Sequence, residues 1–328
     1  RVLRFLLLAT AGLTFILVAL GGFVRGTGAG LSCPDWPLCF GRIVPHSFAG
    51  GVAQEWIHRV LAKGVGVLWI ASVVVAYRLR ARHPRVFYFT LAMLGLVIVQ
   101  GIFGGLTVLM LLNPFVVTTH LALGTLFFQL LLLVALEPKQ HPLVNEPRQI
   151  LYHPIIREHV TRFRRVLLVF AVLIYCQMLL GGFVGASGAS LACPELPLCS
   201  GLFGEVSQNS ALVGAKLTII GHATLGTLIL LLGTFLVIRA FWSVLILIYC
   251  QVGLGLATVH LQIPVAAAVT HLVLAQLILL GVASCYRGLN PNLRVFESQE
   301  ELPQALRQTL SENTSESPAE SLGVSAAG

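Results

Sequence analysis

Residues 21–39 of this chain return at 181–199. Gly21-Gly22-Phe23-Val24 matches Gly181-Gly182-Phe183-Val184, and Cys33-Pro34 with Pro37-Leu38-Cys39 matches Cys193-Pro194 with Pro197-Leu198-Cys199. Agreement over such a length is far beyond chance, so the chain is two copies of one unit, and any fold assigned to one half has to serve the other.

The unit is helical and apolar. Runs long enough to cross a hydrocarbon core of about 20 residues fall at 3–25, 55–77, 87–110, 115–137, 165–185, 212–238, 242–261 and 265–285. Only 10% of the 328 residues are charged, where a soluble domain carries roughly 25%. The expected fold is therefore an all-α polytopic membrane protein whose eight transmembrane helices form two tandem, pseudo-symmetric four-helix bundles. Its expected segments are an N-terminal bundle (1–137), a linker (138–164), a C-terminal bundle (165–287) and a tail (288–328). Parallel repeats of this kind are related by an axis along the membrane normal. The chain begins at Arg1 rather than methionine, so a few residues are expected to precede it. The first apolar run lacks a small-residue cleavage site and reads as a retained helix.

The net charge of +8 would suit a nucleic-acid partner only if the basic residues formed a patch. Instead they sit between apolar runs, where they set topology, and nucleic-acid binding is excluded. Arg78, Arg80, Arg82 and Arg85 in one segment, and Lys139, Arg148, Arg157, Arg162, Arg164 and Arg165 in another, place those segments in the cytoplasm. Alternation then puts both termini inside, and the loops 26–54 and 185–211 outside. The tail, rich in Glu, Ser, Gln and Pro, reads as a disordered cytoplasmic extension.

Ionisable groups inside a span are costly and mark function. Glu55, His58 and Arg59 share one helix face, with Lys63 a turn further along. His120, His222 and His271 likewise fall within about two turns of the outer ends of their helices. Four imidazoles at one depth of a duplicated bundle suit two axial pairs, each holding a haem iron. The competing reading is hydrogen bonding between helices. Gly104-Gly105, Gly181-Gly182 and Gly253 with Gly255 suit close approach of a planar ligand or of a helix, and do not choose between these. Aligning His58 with His222 sets Ile219 opposite Glu55 and Ala223 opposite Arg59. One half thus has an acid and a base beside its histidine while the other is apolar, which assigns chemistry to the first half and a permanent cofactor to the second. Two other readings stand beside this: a structural Glu55–Arg59 ion pair, and Arg25, Arg59 and Lys63 meeting haem propionates.

Cys33 with Cys39, and Cys193 with Cys199, bracket five residues in loops placed outside, where disulfides form. Structural disulfides are the first reading, and a redox role for Cys33 and Cys39 the second. Cys176, Cys250 and Cys285 are expected to be packed thiols. His46 and His260 are read as solvated, and His83, His141, His153 and His159 as cytoplasmic loop residues without chemistry.

With Glu55-x-x-His58-Arg59, histidines at 120, 222 and 271, and the Cys-Pro-x-x-Pro-Leu-Cys loop in both halves, the chain resembles haem A synthase of the bacterial type with two cysteine pairs, over residues 1–287. The resemblance implies a haem b cofactor between His222 and His271, and haem O as substrate near His58 and His120. It also implies stepwise oxidation of the haem O C8 methyl to a formyl group, with Glu55 as the essential acid. A haem O synthase partner, a bacterial plasma membrane and an electron acceptor that the residues do not identify complete the implied setting. The alternative is a dihaem b-type cytochrome taking electrons from quinol. A transporter ranks below both, because no pair of broken helices lies at midplane.

Overall fold

The computed structural model describes residues 1–135, 154–193, 210–237 and 242–288. Among them are eight helices long and apolar enough to cross a membrane: α1 Val2–Gly26, α2 Val52–Arg78, α3 Pro84–Leu109, α4 Pro114–Ala135, α5 Pro154–Ala186, α6 Ser210–Val237, α7 Trp242–His260 and α8 Val265–Gly288. Helices are the expected solution in lipid, since each satisfies its own backbone polar groups. Proline opens α3, α4 and α5, where its missing N–H costs nothing.

Seven helices match the expected runs to within a few residues. The exception is α5, which begins at Pro154 rather than 165. Its first turns are too charged to register as a span, yet they continue the same helix, and the apolar span itself starts at Thr161. His159 is therefore helical and not in a loop, and His260 is likewise the last residue of α7. The tail beyond 288, most of the linker, His141, His153 and Cys199 lie outside the described residues.

The chain divides into two units, one of residues 1–137 with 167–286 and the other of 138–166 with 287–328. The first unit holds both four-helix halves. In the N-terminal half each helix packs on two neighbours in the ring α1–α2–α3–α4, and all four feed one core: Leu7 and Ala11, Val65 and Trp69, Met93, and Phe127, Leu131 and Ala135. Trp69 is fully buried, stacks edge-on to Phe127 at 5.2 Å, and donates its indole N–H to the Thr90 carbonyl at 3.1 Å.

The repeat seen in the sequence returns as repeated geometry. After α1 the chain turns through Gly28 at φ 70° into a short 3-10 turn, Ala29–Leu31, and after α5 it turns through Gly188 at φ 74° into Ala189–Leu191. That left-handed backbone is open to glycine at no steric cost, which accounts for glycine in both copies. The α3–α4 and α7–α8 turns also match, each with two non-glycine residues at positive φ: Leu111 and Leu112, then Gln262 and Ile263.

The halves meet through equivalent contacts. A Cβ at Gly22 of α1 would touch Leu272 of α8, and a Cβ at Gly182 of α5 would touch Leu121 of α4. Glycine here lets helices approach closely, the main source of association where lipid removes the hydrophobic drive. Deeper in the seam, buried Gln129 donates to the Gln276 backbone carbonyl and side-chain oxygen, both at 3.1 Å, and Gln276 donates to the Thr125 hydroxyl at 2.8 Å.

Cys176 and Cys250 are not packed thiols as expected. Both are exposed on the outer faces of their helices, and Cys285 is half-buried. Small apolar side chains facing lipid satisfy hydropathy as well as burial does, so hydropathy alone does not separate the two.

Candidate functional site

All four histidines are set the same way. Each has its ring edge on a glycine of the preceding helix; His58, His120 and His271 stand in the second turn of α2, α4 and α8, whereas His222 lies more than three turns into α6, deeper than the two turns expected. A Cβ built at Gly21 (α1), Gly104 (α3), Gly181 (α5) or Gly255 (α7) would lie 3.1, 3.1, 2.7 or 2.9 Å from the Cε1 atom of His58, His120, His222 or His271. Of the glycines left open by the sequence, Gly104, Gly181 and Gly255 thus make room for imidazoles, whereas Gly105 faces Trp36, Gly182 faces Leu121 and Gly253 has nothing within 4 Å. His58 and His120 lie within electrostatic range of each other, as do His222 and His271. Among the described residues no three His, Cys, Asp or Glu side chains converge, so the histidines stand as pairs. All four Nδ1 atoms are buried without a hydrogen-bond partner. Buried polar nitrogens are ordinarily satisfied, so four orphans at equivalent places indicate a site built for a ligand. Paired imidazoles with glycine-cleared approaches fit bis-histidine ligation of a haem iron.

Three glutamines missed in the sequence accompany these pairs. Gln100, Gln177 and Gln251 each lie four residues before the site glycine, and hence on its face of the helix. The Gln177 amide donates to the His222 carbonyl at 2.9 Å. Gln251 donates to the His271 carbonyl at 3.0 Å, with its amide 3.1 Å from the ring Nε2, and the Gln100 amide lies 3.4 Å from the His120 Nε2. Their Oε1 atoms are buried and unpartnered. The spacing Gln-x-x-x-Gly recurring in three apolar helices was the available signal. On α1 the corresponding residue is Leu17, which packs into the apolar core.

Above the first pair sits the loop of the repeat, closed by a Cys33–Cys39 disulfide with Cα atoms 4.8 Å apart. Arg59 and Glu55 pair across one helical turn at 2.5 Å, and together they hold this loop. Arg59 Nη1 donates to the carbonyls of Asp35 and Leu38, and Nη2 donates to the Cys33 carbonyl at 2.9 Å and to Glu55. The other Glu55 oxygen accepts the Cys33 backbone N–H at 2.7 Å. With four acceptors around the Nη atoms, Arg59 is committed to the loop. Lys63 is exposed, and the Arg25 guanidinium lies beside Gly185 of α5.

Further along the loop, Trp36 packs on Gly105 of α3, next to the glycine that faces His120. Asp35 closes the loop by accepting from Phe40 at 2.7 Å and Gly41 at 2.8 Å. Partial desolvation pushes its pKa up, but those backbone N–H bonds and nearby Arg59 outweigh it and hold the carboxyl below its ordinary value.

The second half repeats the scaffold without the ions. Ile219 stands where Glu55 does and packs with Val184, Ala189 and Cys193 in an apolar plug that Ala223, opposite Arg59, also joins. Cys193 is disulfide-bonded.

The chain matches the COX15-CtaA family model, described as cytochrome oxidase assembly protein, over residues 4–53 and 48–283. It is similar to a protein of Shewanella oneidensis named "Heme A synthase", 29% identical over 329 residues that cover 86% of this chain and 95% of that one. Proteins with the same name from Shouchella clausii (26% identical, covering 74% of this chain and 78% of the other) and Symbiobacterium thermophilum (29%, covering 67% and 73%) are also similar.

Proposed function

The chain belongs to the COX15-CtaA family of cytochrome oxidase assembly proteins, and from that premise we propose that it is a haem A synthase, a membrane oxidoreductase that converts haem O to haem A. The observation that supports this reading most is the contrast between the halves: equivalent histidine pairs, of which one lies under a buried acid and base and the other under an apolar plug.

His222 and His271 would hold a haem b, and His58 and His120 would hold the iron of the substrate haem O; a haem b in the second half would supply one-electron redox chemistry. Turning the C8 methyl into a formyl group adds one oxygen atom from water and removes four protons and four electrons in two successive two-electron steps (R–CH3 + H2O → R–CHO + 4 H+ + 4 e−). The electrons pass to an external acceptor, and the released protons mean that the reacting half needs a proton acceptor and the storing half does not. Glu55 fills that role. Each of its oxygens accepts one hydrogen bond and keeps a second lone pair, while Arg59 holds the carboxyl group in place. The disulfide loop, tied to α2 through Arg59 and resting on α3 through Trp36, screens the first pair from bulk solvent. A haem O synthase in the same membrane supplies the poorly soluble substrate. The membrane is the bacterial plasma membrane, with both termini cytoplasmic as the basic loops direct. The dihaem quinol-oxidising alternative is not favoured, since it gives the Glu55–Arg59 pair no chemical task.

The test uses two variants expressed beside a haem O synthase. Glu55→Gln is expected to keep the b-type spectrum while its extracts contain haem O and no haem A. His222→Ala is expected to lose the b-type spectrum. Haem A in the Glu55→Gln extract would remove the acid from the reaction, and an intact spectrum in His222→Ala would undo the assignment of halves.

A further inference from the structure

The four histidine positions are not equivalent in how they are held, and the difference falls on one residue. Gln100, Gln177 and Gln251 each reach from one helix of a pair to the histidine of the next. At Gln177 and Gln251 the carbonyl acceptor fixes which way the amide points, because only its N–H groups can donate to an oxygen. At Gln251 the same amide nitrogen lies 3.1 Å from the His271 Nε2, so that ring nitrogen accepts and the proton resides on Nδ1. In this tautomer the Nε2 lone pair is the one iron would take in place of the amide, and the bond to the His271 carbonyl would remain as the tie. The tie therefore sets both the height of the histidine and its proton. The repeat places Leu17 at the counterpart of Gln177, and a leucine packs without direction and offers no donor. On α1 the His58 ring edge rests on Gly21, and its helix is held from outside the bundle, through Arg59 and the loop.

We propose that His58 is the exchangeable iron ligand of the four, because Leu17 stands where a glutamine amide meets each of the other three, at the backbone carbonyls of His222 and His271 and at the ring Nε2 of His120. The proposal rests on the reading that the two pairs hold haem irons. It gives the missing amide a purpose. A site that takes in haem O and gives up haem A needs one ligand that lets go, whereas a permanent cofactor is best held by two tied ones. Gln100 on the His120 side then acts as the positioning residue, a donor that His58 lacks on α1, and presets His120 with its Nε2 lone pair turned outward.

Carbon monoxide tests this, since it binds ferrous haem only where an axial ligand can leave. Purified protein carrying haem in both halves is reduced and titrated with carbon monoxide. About half of the haem is expected to respond. Leu17→Gln, which supplies the missing amide, should raise the half-saturating concentration about fivefold, the worth of one ordinary hydrogen bond. Gln251→Leu, which imposes the Leu17 situation on His271, should make the second haem responsive as well. The two variants are read separately, so failure of one to fold leaves the other decisive. Overturning results are a Leu17→Gln titration within twofold of the parent, or a Gln251→Leu second haem that stays inert. If the parent protein shows no low-spin bis-imidazole spectrum at all, the haem-ligation reading falls first, and the proposal with it.

Discussion

Replacing Arg59 with alanine should free the disulfide loop while leaving the bundle beneath it standing. Only 10% of the Arg59 side chain and 5% of Glu55 are exposed, so solvent does little to screen the pair. The substitution strips donors from the carbonyls of Cys33, Asp35 and Leu38 and leaves the Glu55 carboxylate buried with one remaining partner, the Cys33 N–H. Removing one member of a buried ion pair costs about 3–5 kcal/mol. Most of that cost is relieved by letting the loop lift away, because three of the four acceptors belong to it. A local opening made easier by this amount is populated about two to three orders of magnitude more often, at a tenfold change per 1.4 kcal/mol. Reduction of Cys33–Cys39 by a water-soluble reductant, followed by mass-tagging of the released thiols in folded protein, should accelerate by that factor. The disulfide at Cys193 lies over Ile219 and Ala223 and has no arginine to lose, so its rate serves as the internal reference and should not move. A Cys33–Cys39 rate within threefold of the parent would refute the clamp.

Three further outcomes are expected. Gly181→Ala puts a methyl 2.7 Å from the His222 Cε1, so the ring has to move and haem retention in the second half should drop at least tenfold. Gly253→Ala, with nothing within 4 Å, should retain haem fully and gain up to about 1 kcal/mol of helix stability, and equal haem loss in both variants would contradict the cradle. Asp35 has a depressed pKa, so its contribution to loop closure is present above the usual carboxylate range and disappears as pH falls through the lower folded value. Disulfide reduction by a phosphine should therefore quicken as pH falls below the usual carboxylate range, and Asp35→Asn should erase that pH step. Gln276→Leu leaves the Thr125 hydroxyl without its donor and the buried Gln129 amide with one acceptor fewer. Thermal unfolding in detergent should report a loss of about 1–2 kcal/mol, whereas an unchanged midpoint would show that the seam between the halves does not depend on these bonds.

The helices and their duplication were legible because each signal is local. Twenty apolar residues announce a span wherever they occur, and the Gly28 and Gly188 turns repeat because their backbone conformation demands the same residue twice. The four histidines were legible through the same repeat. What escaped notice depends on groups distant in sequence. Nothing in Glu55-x-x-His58-Arg59 says that the charged pair grips a loop 21 to 26 residues earlier. The glutamines at 100, 177 and 251 look like ordinary polar residues until the facing histidines are placed, and the meaning of Leu17 emerges only by comparison with them. The early start of α5 was hidden for another reason, since hydropathy marks the apolar stretch and not the helix that carries it beyond.

The central claim is that one histidine pair transforms a haem while its twin keeps one. The most direct measurement is mass analysis of the tetrapyrroles extracted from this protein after expression with a haem O synthase. Haem b together with haem A or its hydroxylated precursor is the expected result. Haem b and unchanged haem O, in a preparation with an intact low-spin spectrum, would contradict it.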